Sequence, residues 1–288
     1  MTRILMLDGQ NLLHRARSGF KQGEHFVAFN FFRALRALVE QHEPTRVVMA
    51  LEGHPKHRYE LLPDYKANRR VDPTDDVSSR ALADFHHQVD ETIMLMRSWL
   101  PVSIVRHPDH EADDTIANII DRSSTVAEFI VVSTDTDHIQ LLNSHDNVGI
   151  YNPVRKAFLE WNPDDDYVAY KALKGDASDN IPGVRGFGEK TAMRWAKDAH
   201  SNPLKLTKLL SEMHCIDRCD YERNHHLVRF AAWTPEEAAL MVSSSPQRDW
   251  DAVKRRFDEW GFASITKDGP WSRFVATLDP LFGSNEVP

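Results

Sequence analysis

Cysteine is nearly absent: Cys215 and Cys219 are the two thiols in 288 residues. That excludes a disulfide framework and suits a reducing compartment. His214, His225 and His226 lie close by, but the spacing matches no standard zinc pattern, and two thiols packed on one helix face are the better reading. Long hydrophobic runs are missing too. FIVVS is far short of the roughly 20 residues of a membrane span, and the N-terminal ILML meets Asp8 before a signal-peptide core could form. A cytoplasmic protein with no membrane partner is expected. Positive charge is also scarce. The formal net charge is -8, which on its face argues against a nucleic-acid partner, although net charge hides its distribution.

What is present is a folded chain with 41% hydrophobic residues, enough to fill one large core or two ordinary ones. Over the first 160 residues, short aliphatic runs alternate with helical patterns. RILML, RVVMAL, VSIV and FIVVS read as buried strands, so an α/β architecture is expected, with a parallel sheet covered on both faces. Leu82, Phe85, Val89, Ile93, Met96 and Leu100 step by three or four along one helix face. The polar segment NRRVDPTDDVSS before it reads as a loop or excursion. After about residue 160 the pattern is helical, and GSNEVP reads as a frayed tail.

Acids follow every one of those strands. Asp8 ends the first, Glu52 follows the second, Glu111, Asp113 and Asp114 follow the third in HEADD, and Asp135 and Asp137 follow the fourth in STDTD. In a parallel sheet these ends share one edge, the edge at which α/β proteins place their sites. An acid after a strand is often only a helix cap, as Asp113 or Asp137 alone would be. Acids at every strand end call for another cause. Asp176 and Asp179 bring the set to nine, and removing the nine takes the formal charge from -8 to +1. Crowded carboxylates require cations, and oxygen donors without a Cys or His set favour Mg²⁺ or Mn²⁺.

In KGDASDNIPGVRGFGEKTA the acids run straight into glycines and a lysine. The segment is not a P-loop, because Glu189 separates Gly188 from Lys190 and no strand precedes it. A glycine turn between helices remains, either an ordinary cap or a phosphate cradle. From 183 to 197, Arg185, Lys190, Arg194 and Lys197 face only Glu189. A second basic run holds Lys56, Arg58, Lys66, Arg69 and Arg70 against Glu60 and Asp64, with Tyr59 and Tyr65 suited either to base stacking or to core packing.

The pieces LDGQNLLHR, LPDYKANR, HEADDTIA, STDTD and GDASDNIPGVRGFGEKTA, in this order and spacing, resemble the 5′-nuclease family of flap endonucleases and 5′ to 3′ exonucleases. The resemblance runs from about residue 4 to 197. It implies a PIN-like core over 1–165, with a helical arch at about 67–100, and a helical DNA-binding part over 166–288. The latter would contain a helix-three-turn-helix at about 176–197. It also implies two-metal hydrolysis of DNA at 5′ ends and 5′ flaps by a monomer. Asp8, Glu52, Glu111 and Asp113 would hold one ion; Asp135, Asp137, Asp176 and Asp179 the other; Asp114 would act through water. Lys66 and Arg69 match the basic residues at the arch base, the catalytic candidates. Arg15 and Lys171 match phosphate-facing positions, and Arg185, Gly186, Gly188 and Lys190 fall in the duplex-gripping turn, where the family can also hold K⁺. Glu52 stands where the family usually has aspartate. A PIN-type RNase, a phosphatase and a non-catalytic DNA-binding protein are the alternatives.

Overall fold

The four aliphatic runs form the middle of a single sheet. In the computed structural model, which describes residues 2–21, 23–69, 76–123 and 127–284, they are β1 (Thr2–Asp8), β2 (Arg46–Leu51), β3 (Ser103–Arg106) and β4 (Ala127–Val132). They lie parallel in the order β4-β1-β2-β3. Helices cover both faces, which is why the runs are continuously apolar and not alternating.

Three strands extend this centre. β5 (Val148–Asn152) adds in parallel to β4; β6 (Ala157–Phe158) and β7 (Val242–Ser243) pair antiparallel at the two outer edges. The sheet expected to be parallel throughout is therefore mixed. A two-residue strand has no periodicity for a sequence to display, and such short edges leave little unpaired backbone exposed.

Helices α1 (Gly9–Arg17) and α2 (Phe26–His42) connect β1 to β2. α3 (Lys56–Leu61) and α4 (Asp76–Trp99) connect β2 to β3, and α5 (Ala112–Ser123) leads to β4. The apolar stripe of α4 is its inner face: Phe85, Val89, Met96 and the following Leu100 are buried, with Leu82 and Ile93 partly so. Of the arch segment, Ala67–Arg69 form a 3₁₀ turn. Residues 70–75, Arg70 among them, lie outside the described residues, as do the tail residues 285–288.

After β6 come α6 (Tyr167–Lys174), α7 (Glu189–Ala196), α8 (Leu204–Glu212) and α9 (Cys215–Val228). Tyr167, Leu173, Ala192, Leu206 and Tyr221 give these four a core of their own. Cys215 and Cys219 are exposed on α9 and not packed as expected, because the inward face of that helix is taken by Tyr221, Asn224, Leu227 and Val228. No metal-holding group among the described residues includes either thiol.

α10 (Pro235–Ala238) precedes β7, and α11 (Trp250–Glu259), α12 (Ala263–Thr266) and α13 (Asp268–Leu278) close the chain. These last three return to the sheet: Phe257, Ile265, Phe274 and Leu278 share one core with Phe32 of α2 and Phe85 of α4. Phe257 is fully buried, its ring 4.9 Å from that of Phe32 and 5.5 Å from that of Phe274. Removing a buried ring of this kind costs about 3–5 kcal/mol. Phe257→Ala should lower the free energy of unfolding by that amount while the whole sheet unfolds in the same transition. A separate early transition confined to the C-terminal helices would show them to be an appendage.

Candidate metal centre

Parallel strands end side by side, so the residues that follow them meet. Asp8 closes β1 and caps α1: one oxygen accepts the Asn11 amide (3.1 Å), the other the Ser133 hydroxyl (2.7 Å). Glu52, after β2, accepts the Ala112 amide at the start of α5 (3.1 Å), which places Glu111 and Asp113 beside it. Asp135 and Asp137 follow β4, with Asp135 accepting the amide of Asp137 (2.9 Å). Asp176 and Asp179 come from a 3₁₀ turn, Ala177–Asp179, that Asp176 itself caps.

Two groups result. Asp8 and Asp113 gather around His138; Asp137, Asp176 and Asp179 form the second, and in each group one donor atom per residue lies within 4.8 Å of the others. Asp135 links them, since its carboxylate feels Asp113 and Asp8 on one side and acts on Asp137 on the other. Burial, together with Asp113 and Glu111, pushes the Glu52 carboxyl up to about 8. Burial also raises Asp113, Asp135, Asp137 and Asp179. Buried acids that oppose each other's ionisation fit divalent cations, and oxygen donors suit hard ones.

Protein cations already face these acids. Lys66 reaches Glu111 and stands 3.8 Å from Asp179; Arg69 reaches the other oxygen of Asp179. Burial works against the Lys66 charge, yet Glu111 and Asp179 hold its pKa above the usual value. Lys171, expected to face phosphate, is buried with its ammonium on Asp176 and 2.8 Å from Asp137. Tyr65 takes the packing course: its ring is 2% exposed and its hydroxyl donates toward Glu111 (3.0 Å) and Asp179 (3.1 Å). A ring so covered cannot stack on a base.

Asp114 turns away from both groups. Its two oxygens are held by Arg58 (2.5 and 2.8 Å) and by the amides of Glu111 and Ala231. Burial would raise its pKa, but Arg58 keeps it well below the carboxylate range. Arg58 also holds Glu111 (2.7 Å), so this arginine of the basic run is a buried tie and no surface charge. His138 was invisible to a search for acids. It lies fully buried, 3.1 Å from Asp113 and 3.8 Å from Asp8, and against the effect of burial these two hold its proton. Its position directly after STDTD is the signal that marks it.

The glycine turn joins α6 to α7. Gly175 (φ +81°) and Gly183 form its neck, where a Cβ on Gly183 would lie 2.1 Å from the Lys174 carbonyl oxygen. Gly186 (φ +85°) needs its left-handed backbone. Gly188 differs: it caps α7 at an ordinary φ of -70° with open space around it. No packing demands glycine there, and its absent side chain leaves the first amides of α7 bare. Arg185 and Lys190 flank this turn, exposed, and Arg15 is exposed on the last turn of α1.

Two family models match the chain. The 5′-3′ exonuclease N-terminal resolvase-like domain covers residues 3–171, and the 5′-3′ exonuclease C-terminal SAM fold covers 162–218. The chain is 29% identical over 274 residues to DNA polymerase I of Chloroflexus aurantiacus, covering 87% of this chain and 28% of that protein. It is 27% identical over 262 residues to a 5′-3′ exonuclease of Bacillus subtilis, covering 74% of this chain and 83% of the relative. The polymerase relatives are thus matched over about a third of their length or less. Among solved structures, the bacteriophage T5 protein co-crystallised with metal ions superposes with a TM-score of 0.66 at 19% identity, covering 97% of this chain and 99% of that one. The T5 flap endonuclease in a pseudo-enzyme–product complex with DNA and metal ions gives 0.65 at 20%, with the same coverage.

The acids themselves can be titrated. A carboxyl whose pKa rises on folding binds its proton more tightly in the folded state, so stability falls as pH climbs from the unfolded to the folded value. For Glu52 that window runs from about 4.5 to about 8. The metal-free protein should lose stability across it, Glu52→Gln should flatten the slope, and a divalent ion at 100 times its Kd should add about 2.7 kcal/mol. Melting curves with chelator and with Mn²⁺ measure all three; a flat wild-type profile would show that the acids do not strain the fold.

Proposed function

The chain belongs to the 5′-3′ exonuclease family, and from that premise we propose that it hydrolyses DNA phosphodiester bonds at 5′ ends and 5′ flaps, acting as a monomer. The observation that carries this reading is one continuous segment. Asp176 and Asp179 complete a carboxylate group at the sheet edge, and ten residues on, the same chain presents Gly186, Gly188 and Lys190 as a bare, basic turn. A protein that only bound DNA would have no use for the opposed acids, and a phosphatase would have no use for the turn.

In this reading residues 1–165, completed by Asp176 and Asp179, carry the chemistry and the helices after 166 grip the duplex. Asp8, Glu52, Glu111 and Asp113 would hold one divalent ion and Asp135, Asp137, Asp176 and Asp179 another, with Mg²⁺ the expected metal and Mn²⁺ able to replace it. Bound there, the ions would lower the pKa of an attacking water and neutralise charge on the cleaved phosphate. Arg185, Lys190 and the amides of α7 take duplex phosphates, the loop carbonyls offer a place for K⁺, and Arg15 meets a phosphate nearer the core. Asp114 acts at second hand, by fixing Arg58 and through it Glu111. Lys66 and Arg69, at the base of the arch segment, would turn from the acids to the scissile phosphate once cations replace them.

Two experiments test this. Asp176→Asn should abolish Mg²⁺-dependent cleavage of a labelled 5′ flap while duplex binding in Ca²⁺ stays near wild type; retained turnover would remove the two-ion assignment. Lys66→Ala should lower single-turnover cleavage on the order of 10²- to 10³-fold, the usual loss for a charge facing a developing anion in a restricted site. Lys56→Ala is the control, since Lys56 is an exposed lysine paired with Asp109 at 2.6 Å. Equal, affinity-only losses in both would make Lys66 a steering charge.

A further inference from the structure

The start of α2 meets α4 through a group of polar side chains that plays no part in the nuclease reading. His25 stands at the cap position of α2 and makes no capping bond. Its ring stacks instead on that of Trp260, directly after α11, with centroids 5.0 Å apart and planes within 25° of parallel. The stack fixes the plane of the ring. On its free edge, Nδ1 comes 3.0 Å from Glu91 Oε2, and His87, one turn earlier on α4, brings its Nε2 to 3.6 Å from the same oxygen. Buried Gln88 holds the two helices in this register by accepting the Val27 amide at 3.1 Å.

The central pair is close without being bonded. His25 Nδ1 and Glu91 Oε2 are both closed to solvent, and neither is in hydrogen-bond geometry with any group among the described residues, each other included. Buried polar atoms left in that state are costly unless something supplies a partner. Among the described residues no lysine or arginine forms an ion pair with Glu91, whose two ionic neighbours are the histidines. Its carboxylate therefore has lone pairs to give, and no fixed positive charge occupies the space beside it.

We propose that His25, His87 and Glu91 form a further cation site, sharing no residue with the carboxylate centre, that takes an imidazole-binding transition ion such as Zn²⁺ and not Mg²⁺. Two imidazole nitrogens and a carboxylate, with a fourth position for water, are the donor set of an open tetrahedral zinc site. Ligand atoms about 2 Å from such an ion stand about 3.3 Å from one another, and the two contacts of Glu91 Oε2, 3.0 and 3.6 Å, bracket that edge. The remaining edge, between the two nitrogens, is closed by His87. Its side chain is 70% exposed on the surface of α4, so it can swing over the carboxylate without disturbing the core, and the same exposure admits the water. Mg²⁺, which prefers oxygen and holds its water, has little to gain from a pair of imidazoles. Bound there, the ion ties the start of α2 to the middle of α4. The site does not rest on the nuclease reading, because none of its three residues is asked to touch DNA or the cleaved bond.

The test is calorimetric titration of Zn²⁺ into the full chain in excess Mg²⁺. Wild type should take up one more Zn²⁺ than His87→Ala or Glu91→Gln, or hold it at least about tenfold more tightly. Asp176→Asn, altered at the carboxylate centre, should retain that ion. His87→Ala keeps the test sound if Glu91→Gln fails to fold, because position 87 is exposed. Equal zinc uptake and affinity in wild type and His87→Ala, or no uptake by wild type in excess Mg²⁺, would overturn the site and leave His25 and Glu91 as an ion pair closed to metals.

Discussion

The organising constraint is repulsion among buried acids at one edge of a parallel sheet. Strand ends in such a sheet are neighbours by construction, and this chain puts carboxylates after each of the four central ones. Like charges at this density either take up protons or are matched by cations. Both responses are present. The Glu52 carboxyl is driven upward, while Lys66, Arg69 and Lys171 are drawn in against Glu111, Asp179, Asp137 and Asp176. Much of what surrounds the edge is explained by that demand, including why Tyr65, suited to base stacking, and Lys171, expected to face phosphate, are found buried among acids.

The matching is unequal, and the inequality divides structure from chemistry. Asp114 is satisfied from every side and permanently ionised by Arg58, an arrangement in which breaking one partner away leaves an uncompensated buried charge. Among the described residues no lysine or arginine forms an ion pair with Asp8, Asp113 or Asp135, and His138 stands 3.8 Å from Asp8 and 3.1 Å from Asp113. Asp114 is therefore a residue the fold uses for itself, whereas Glu111, Asp137, Asp176 and Asp179 share their lysine and arginine partners with the opposed acids around them.

The central strands, the stripe of α4 and the acids at the ends of β1, β2 and β4 were legible because each rests on a short-range signal: an apolar run, a helical period, an acid directly after a strand. The mixed edges were not, because β6 and β7 are two residues long. The roles of Arg58, Tyr65 and Lys171 were not either. Each is a polar residue whose direction is decided by partners far away in sequence, Arg58 by Asp114 and the Leu227 carbonyl, Tyr65 by Glu111 and Asp179. Composition places such residues on a surface by default. The return of α11–α13 to the N-terminal core was hidden for the same reason: Phe257 meets Phe32 across more than half the chain.

The same long-range bonding joins the glycine turn to the acids. The Lys66 amide donates to the Asp179 carbonyl (3.0 Å), Asn68 donates to Ala177 (2.8 Å), and Asn180 returns a bond to Asp64 (2.7 Å). Lys66 adopts a left-handed backbone (φ 53°) to do so, a conformation that a non-glycine residue holds only when its surroundings over-determine it. The base of the arch segment is thus bolted to the 3₁₀ turn that carries Asp176 and Asp179, and that turn leads through the Gly175–Gly183 neck to the exposed glycines. A displacement of the turn would reach both acids and the lysine facing them through these bonds.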